Sequence, residues 1–244
     1  MPPKPSLTDI RDRLRQAGTV TVLTGAGISA DSGVPTFRGA DGLWKNYRPE
    51  ELATPEAFAR DPQLVWEWYN WRRELLSTKI PNAAHEGLSL LEQRITDFWL
   101  ITQNVDGLHA QAGSKNLSEI HGNIWKVRCT DCGTVTPNRM VPIVYPPTCE
   151  ACSGLLRPHI VWFGESLNPE DLANSFATLQ RCEILLVIGT SGVVYPAASF
   201  ASIAKDHGAL VVEINLDSTP NSSLVDVSFQ GRARDLVPLL LFEP

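Results

Sequence analysis

The 244-residue sequence has no apolar run of about 18 residues, the length that a membrane-crossing helix needs, and so offers no candidate helical span. Its opening stretch, MPPKPSLTDIRDRLRQ, lacks the apolar centre of a secretory leader, and its basic residues alternate with Asp9 and Asp12, unlike a transit peptide. A soluble, cytoplasmic protein is expected. Basic charge is not in excess: 21 Lys and Arg against 27 Asp and Glu leave a net charge of −6, which argues against nucleic-acid or membrane binding and tolerates a cationic, lysine-bearing protein partner. Cysteine is sparse, and four of the five residues fall in two Cys-x-x-Cys pairs, which speaks for metal ligation in a reducing compartment rather than a disulfide framework. With 43% hydrophobic and 20% charged residues, the chain suits one globular unit, either one large domain or a large and a small one. The oligomeric state is left open, with a monomer compatible.

What is present is organised around Gly25 to Gly39, GAGISADSGVPTFRG. The preceding run Thr19 to Thr24 reads as a buried parallel strand, so the glycines fall where the chain leaves a sheet. Gly25 permits a tight turn, Gly27 permits close approach to a pyrophosphate, and a helix opening at about Ser29 would aim free N–H groups at the negative charge. A plain turn reads equally well from these residues alone. The acidic strand end that dehydrogenases place about 20 residues later is missing, and nothing marks a hydride acceptor site. Instead Pro35-Thr36-Phe37-Arg38-Gly39 sets an aromatic ring and a guanidinium beside the turn, able to cover a nicotinamide or ribose and to neutralise phosphate, or else to form a solvated surface loop.

The flanking segments alternate between helix and strand patterns. Leu7, Ile10, Leu14 and Ala17 predict an amphipathic first helix capped by Ser6, and Pro55 and Pro62 suit helix first turns. From Leu64 to Ser77 two stripes emerge, Leu64/Trp68/Trp71/Leu75 and Val65/Tyr69/Arg72/Leu76. A tyrosine and an arginine on a mostly apolar stripe are either core and a snorkelling cation, or a hook that binds a carboxylate inside a pocket. Apolar runs at Phe98 to Thr102, Ile184 to Ile188 and Ala209 to Ile214 predict further parallel strands, each ending in polar or small residues, as ligand-binding edges of open α/β sheets do. Ile160 to Glu165 is expected to be extended. Among the five histidines, His85, His109 and His207 fall in helical or turn contexts and His159 approaches a strand, which leaves His121, followed by Gly122, as the candidate proton shuttle. Cys129-x-x-Cys132 and Cys149-x-x-Cys152, with sixteen residues between the pairs, form a zinc-ribbon pattern whose four thiolates leave no open position, so the metal is expected to be structural. Cys182 reads as a buried small hydrophobe.

The glycine stretch, Thr102 to His109 (TQNVDGLH), His121-Gly122, the two cysteine pairs, Gly189-Thr190-Ser191 and Asn215-Leu216-Asp217 occur in the order seen in sirtuins, the NAD-dependent protein-lysine deacylases, and the resemblance runs from about Thr19 to Ala233. It implies an α/β fold: a Rossmann-like parallel sheet with helices on both faces (1–38, 83–124 and 156–244), and a small domain made of a helical insertion (39–82) and a zinc ribbon (125–155). NAD as co-substrate and one structural Zn2+ are implied. So are a nucleotide site from Gly25, Ala26, Gly27, Ile28, Ser29, Asp31, Thr36, Phe37, Arg38, Trp44 and Val105, with Gln103 on the nicotinamide ribose, Asn104 on the ribose or an ordered water, and Asp106 on the carboxamide. Gly189, Thr190 and Ser191 would serve phosphate, Asn215, Leu216 and Asp217 the adenosine ribose, and Ala233 the adenine. The implied base is His121, with Asn104 beside it, and an acyl-lysine substrate would lie along Val161, Phe163, Gly164, Glu165, Val193 and Tyr195. Tyr69-x-x-Arg72 with Ala53 resembles the members that remove succinyl, malonyl and glutaryl groups, with weaker deacetylation. Products would be nicotinamide, O-acyl-ADP-ribose and free lysine. A protein ADP-ribosyltransferase and a non-catalytic NAD-sensing module stay as alternatives.

Overall fold

A computed structural model describes residues 5–36 and 48–242. The chain opens with helix α1 (Leu7–Gln16), where Ser6 and Asp9 cap each other reciprocally, and enters strand β1 (Thr19–Thr24). Two short 3-10 turns follow, then α2 (Pro49–Leu52), α3 (Pro55–Arg60), α4 (Pro62–Ser77) and α5 (Ala83–Glu92). Thr54, Asp61 and Asn82 supply the side-chain caps of the last three. Strand β2 (Asp97–Thr102), α6 (Leu108–Gln111) and β3 (Leu117–Glu119) complete the first half of the main sheet. A separate hairpin layer comprises β4 (Gly122–Cys129), β5 (Val135–Pro137) and β6 (Leu156–Ile160). The second half alternates α7 (Pro169–Leu179), β7 (Ile184–Ile188), α8 (Phe200–Asp206), β8 (Leu210–Asn215), β9 (Val227–Gln230) and α9 (Ala233–Leu241).

The main sheet has six strands in the order β3-β2-β1-β7-β8-β9, all parallel. Each inner strand divides its side chains between two cores because successive residues point to opposite faces. Val20, Val22, Leu100, Leu186 and Ile214 pack under α1, α5 and α9, whereas Leu23, Ile101, Leu185, Val187 and Val211 pack against α7 and α8. With helices on both sides, the strands are near-continuous apolar runs. The strand order reverses at β1, whose neighbours β2 and β7 lie far apart in sequence, and this opens a crevice at the strands' carboxyl ends. The three-stranded sheet β5-β4-β6 is antiparallel and joins α3 and α4 around a third core containing Phe58, Trp66, Tyr69, Ile124 and Trp162.

Three expectations need correction. No α-helix opens at Ser29: the chain makes 3-10 turns at Ala26–Ile28 and Ala30–Ser32, because Ser29 turns its hydroxyl onto Asp106 (2.8 Å) and Gly33 follows in the left-handed region (φ 78°). On α4 the stripe Leu64/Trp68/Trp71/Leu75 is not one buried face, since Leu64 and Trp71 are exposed, while the unanticipated Trp66 and Arg73 are fully buried. Arg73 is held by the carbonyls of Ile124 (2.7 Å), Asn138 (2.6 Å) and Met140 (3.0 Å), which fixes α4 to the hairpin layer. The stretch Ile160 to Glu165 is extended only to Ile160, after which Glu165 accepts the Trp162 N–H (2.8 Å) and folds the chain back.

Candidate functional site

The crevice at the switch point deepens into a cavity of about 920 Å3. Its upper wall is the glycine turn. Gly25 donates to the Ile188 carbonyl (3.0 Å) and Gly27 to the Gly189 carbonyl (2.8 Å), and a Cβ on either glycine would lie 2.8 Å from backbone atoms of Gly189. The space on the Cβ side of Gly27 is therefore filled by the β7 loop, so the glycine is needed for the turn's packing while its backbone stays on the cavity wall. Gly25, Ala26, Gly27, Asp31 and Thr36 line the cavity on this side, whereas Ile28 and Ser29 are fully buried behind it. Phe37, Arg38 and Trp44 lie outside the described residues.

Three strand ends contribute the opposite edge. Gln103 and Asn104 after β2, Gly189, Thr190 and Ser191 after β7, and Asn215, Leu216 and Asp217 after β8 all face the cavity, with Val105 and Ala233. They are tied to one another: the Gln103 amide donates to Thr190 Oγ1 (2.9 Å) and the Asn215 amide to the Thr190 carbonyl (2.7 Å). The edge holds hydroxyl, amide and backbone groups of the kind that bind ribose and phosphate, and on the glycine-turn side Asp31 pairs with Arg232 (2.6 Å). Asp106 does not line the cavity. Its carboxylate lies under the floor, accepting from Ser29 Oγ (2.8 Å) and the Leu108 N–H (2.9 Å), and burial pushes its pKa up against those bonds.

His121 projects into the middle of the cavity from the turn between β3 and β4. Its Nδ1 lies 3.1 Å from the Gln103 carbonyl, which can only accept, so the proton resides on Nδ1 and Nε2 carries the free lone pair. Burial lowers the pKa below the ordinary histidine value of 6.5, with the Gln103 bond opposing. The imidazole is thus neutral and basic at neutral pH. Beneath it lie two further histidines that no sequence pattern marked. His85 Nδ1 accepts from the Asn82 N–H (3.3 Å), so Nε2–H faces Ser29 Oγ (3.3 Å); His109 Nε2 meets Thr24 Oγ1 (2.9 Å). Asn104 also reaches Ser29 Oγ (3.1 Å), so the floor under the glycine turn is one polar network.

The cavity also extends between α4 and the segment after β6. Ala53, Tyr69 and Arg72 line this end together, with Val161, Phe163, Gly164, Glu165 and Tyr195 at its mouth; Val193 is displaced outward and Val194 takes its place. Tyr69 and Arg72 are both buried, and the Arg72 guanidinium lies 5.0 Å from the Trp68 ring centroid. Desolvation raises the Tyr69 pKa and lowers that of Arg72, so the end holds a neutral phenol and a cation. Glu165 is committed to Arg157 (2.6 Å) and Arg128 (3.3 Å), which leaves its carboxylate neutralised from within the fold. Trp68 and Trp162 also line the cavity and were not singled out from sequence, because nothing separates them from ordinary core aromatics there.

The sulfurs of Cys129, Cys132, Cys149 and Cys152 converge within 4.8 Å of one another. A tetrahedral Zn–S bond of about 2.3 Å requires sulfurs about 3.8 Å apart, and the Cys129–Cys152 and Cys132–Cys149 separations are 3.4 and 3.8 Å. The set fits a closed, structural zinc. Cys182 is buried elsewhere in the main-sheet core.

A six-stranded parallel sheet with its crevice at the switch point and a four-cysteine ribbon beside it define a nucleotide-binding α/β protein with a metal-stabilised small domain. A model of the Sir2 family matches residues 25–196, and the chain belongs to that family. It is similar to the NAD-dependent protein deacylase of Aquifex aeolicus (strain VF5), 53% identical over 215 residues, covering 88% of this chain and 90% of that one. Among solved structures, a mutant Sir2 homologue bound to ADP ribose superposes with a TM-score of 0.92 at 45% identity, over 95% of this chain and 94% of that one. A Sir2 homologue in complex with NAD superposes at 0.90 with 45% identity, over 96% and 92%.

Proposed function

We propose that this protein is an NAD-dependent protein-lysine deacylase that prefers negatively charged acyl groups, succinyl, malonyl or glutaryl, over acetyl. One observation carries the reading: a single cavity holds the hydroxyl- and amide-lined strand edge, the unprotonated Nε2 of His121, and the Tyr69/Arg72 pair at its inner end. Similarity to a relative named as a deacylase and to NAD and ADP-ribose complexes supports the nucleotide half of it. The acyl half rests on charge, since a buried guanidinium beside a phenol suits a carboxylate and gives nothing to a methyl group. The thiolate ligand set suits a reducing compartment and supports a cytoplasmic setting.

NAD, when bound, supplies an electrophilic ribose carbon and a hydroxyl that receives the acyl group. The strand-end residues Gln103, Thr190 and Asn215 would position it, and the walls would exclude bulk water from the reacting carbon. Nε2 of His121 takes up the hydroxyl proton and the Gln103 carbonyl holds the ring so that this nitrogen faces the cavity. Arg72 and Tyr69 hold the acyl carboxylate, fixing the depth to which the lysine stem enters.

Incubation with NAD and a succinyl-lysine peptide, with mass analysis of all products, tests the reading. Nicotinamide, free lysine peptide and O-succinyl-ADP-ribose in equal amounts are expected. Nicotinamide release with an ADP-ribosylated, still succinylated peptide would make the protein a transferase instead, and no turnover at all would leave a binding module.

A further inference from the structure

Trp162 is buried at the inner end of the cavity, and its Nε1–H donates to the Tyr69 hydroxyl at 2.9 Å. An indole N–H can only donate, so the phenol oxygen is the acceptor in this bond and its own proton must point elsewhere. The Tyr69 side chain lines the cavity, which makes the cavity the direction available to that proton. The indole itself is gripped: the Arg157 guanidinium lies 3.4 Å from its ring centroid, the Phe58 ring centroid lies 5.3 Å away, and Arg157 is clamped by both Glu165 oxygens (2.6 and 2.9 Å) and by the Ile160 carbonyl (3.0 Å). The cation against the ring also polarises the indole and strengthens its N–H as a donor.

We infer that Trp162 is a positioning residue for acyl specificity: held by Arg157 and Glu165, it saturates one side of the Tyr69 hydroxyl and so presents the phenol as a hydrogen-bond donor to a carboxylate at the acyl end. Arg72 supplies charge there, and Trp162 supplies direction through Tyr69. A methyl-terminated acyl group cannot accept that bond, so the arrangement acts on the ratio between acidic and neutral acyl chains rather than on turnover as such. The inference rests on the acidic-acyl reading given above, and deepens it.

A double-mutant cycle on the zinc-loaded enzyme tests it, with Trp162→Phe, Tyr69→Phe and the two combined, measured as kcat/KM and as peptide Kd on matched succinyl- and acetyl-lysine peptides. Trp162→Phe keeps an aromatic ring against Arg157 and removes the N–H. The expected result is a succinyl-to-acetyl ratio lowered about five- to tenfold by either single change, mostly through Kd and KM, with no further loss in the double variant. If Trp162→Phe lowers both substrates alike, or if its effect on the ratio persists undiminished in the Tyr69→Phe background, Trp162 shapes the pocket without acting through the phenol and the inference is overturned. An unchanged ratio in Trp162→Phe would overturn it as well. Failure of the parent reading looks different: the unaltered enzyme itself would then show no preference for the succinyl peptide.

Discussion

Replacing Arg72 by Met separates acyl recognition from chemistry. Arg72 is 7% exposed and lines the cavity beside Tyr69, so its guanidinium would meet an acyl carboxylate with little water between them. A hydrogen bond to a charged group of this kind is worth about 1.5–3 kcal/mol, and at about 1.4 kcal/mol per decade its loss lowers kcat/KM on a succinyl-lysine peptide by about 10- to 150-fold. On an acetyl-lysine peptide no contact of that strength is lost, and methionine fills similar space, so the change stays within about threefold. The buried cation is relieved of its desolvation while the contact with Trp68, 5.0 Å from guanidinium to ring centroid, is removed. Its attraction to Tyr69 and Asp106 is lost as well, so these effects oppose one another and the peptide assay is read beside a Tm measured on the same variant. Paired steady-state rates on the two peptides decide the matter. An equal fall on both would refute an anion hook and make Arg72 a packing residue.

Four other outcomes follow from the same geometry. His121→Ala should lower deacylation by about 10²–10⁴-fold with NAD affinity and fold retained. In the unaltered enzyme the acidic limb of the kcat/KM profile should fall below 6.5, because burial lowers the His121 pKa and the base works only above it. Zinc removal by chelation, or Cys129→Ser with Cys132→Ser, should unfold the ribbon and expose the core around Trp66 and Trp162, read as loss of a cooperative transition by near-UV circular dichroism; full stability without zinc would reject a structural metal. His85 is held neutral by burial, with a pKa of about 4 against 6.5 when unfolded, so as pH falls the unfolded chain protonates first. His109, His121 and His159 are shifted the same way, so the His85 share is the difference from His85→Gln: intact above about 6.5, lost by on the order of 3 kcal/mol down to about 4 and level below, read from urea midpoints across that range.

The four inner strands could be read from sequence because they are buried on both faces: Thr19 to Thr24 and Ile184 to Ile188 are unbroken apolar or β-branched runs that stop at glycine, whereas the short edge strands β3 and β9 carry no such run and went unread. The cysteine ribbon was legible for a different reason, since metal ligation fixes residue type and spacing together. Helix α4 was legible only in part. It packs against the hairpin layer over a wide arc, so Trp66 and Arg73 are buried outside the stripes that periodicity picks out, and an arginine satisfied by three carbonyls has no signature in its own sequence neighbourhood. The floor of the site was hidden altogether. Ser29, His85 and the pair Asp106/His109 come from three distant segments, and their bonding engages Asp106, which in sequence looked like a ligand contact. Likewise, the close approach that Gly27 allows is to Gly189, a partner that only the folded sheet brings near.

The central claim is that nucleotide and acyl-lysine meet in one cavity on either side of His121. A crystal structure with NAD and a thiosuccinyl-lysine peptide tests it most directly. The account predicts His121 Nε2 within hydrogen-bond reach of a nicotinamide-ribose hydroxyl and the acyl carboxylate on Arg72 and Tyr69. An acyl carboxylate in solvent, or on Arg128 and Arg157 beyond the Trp162 wall, would contradict it.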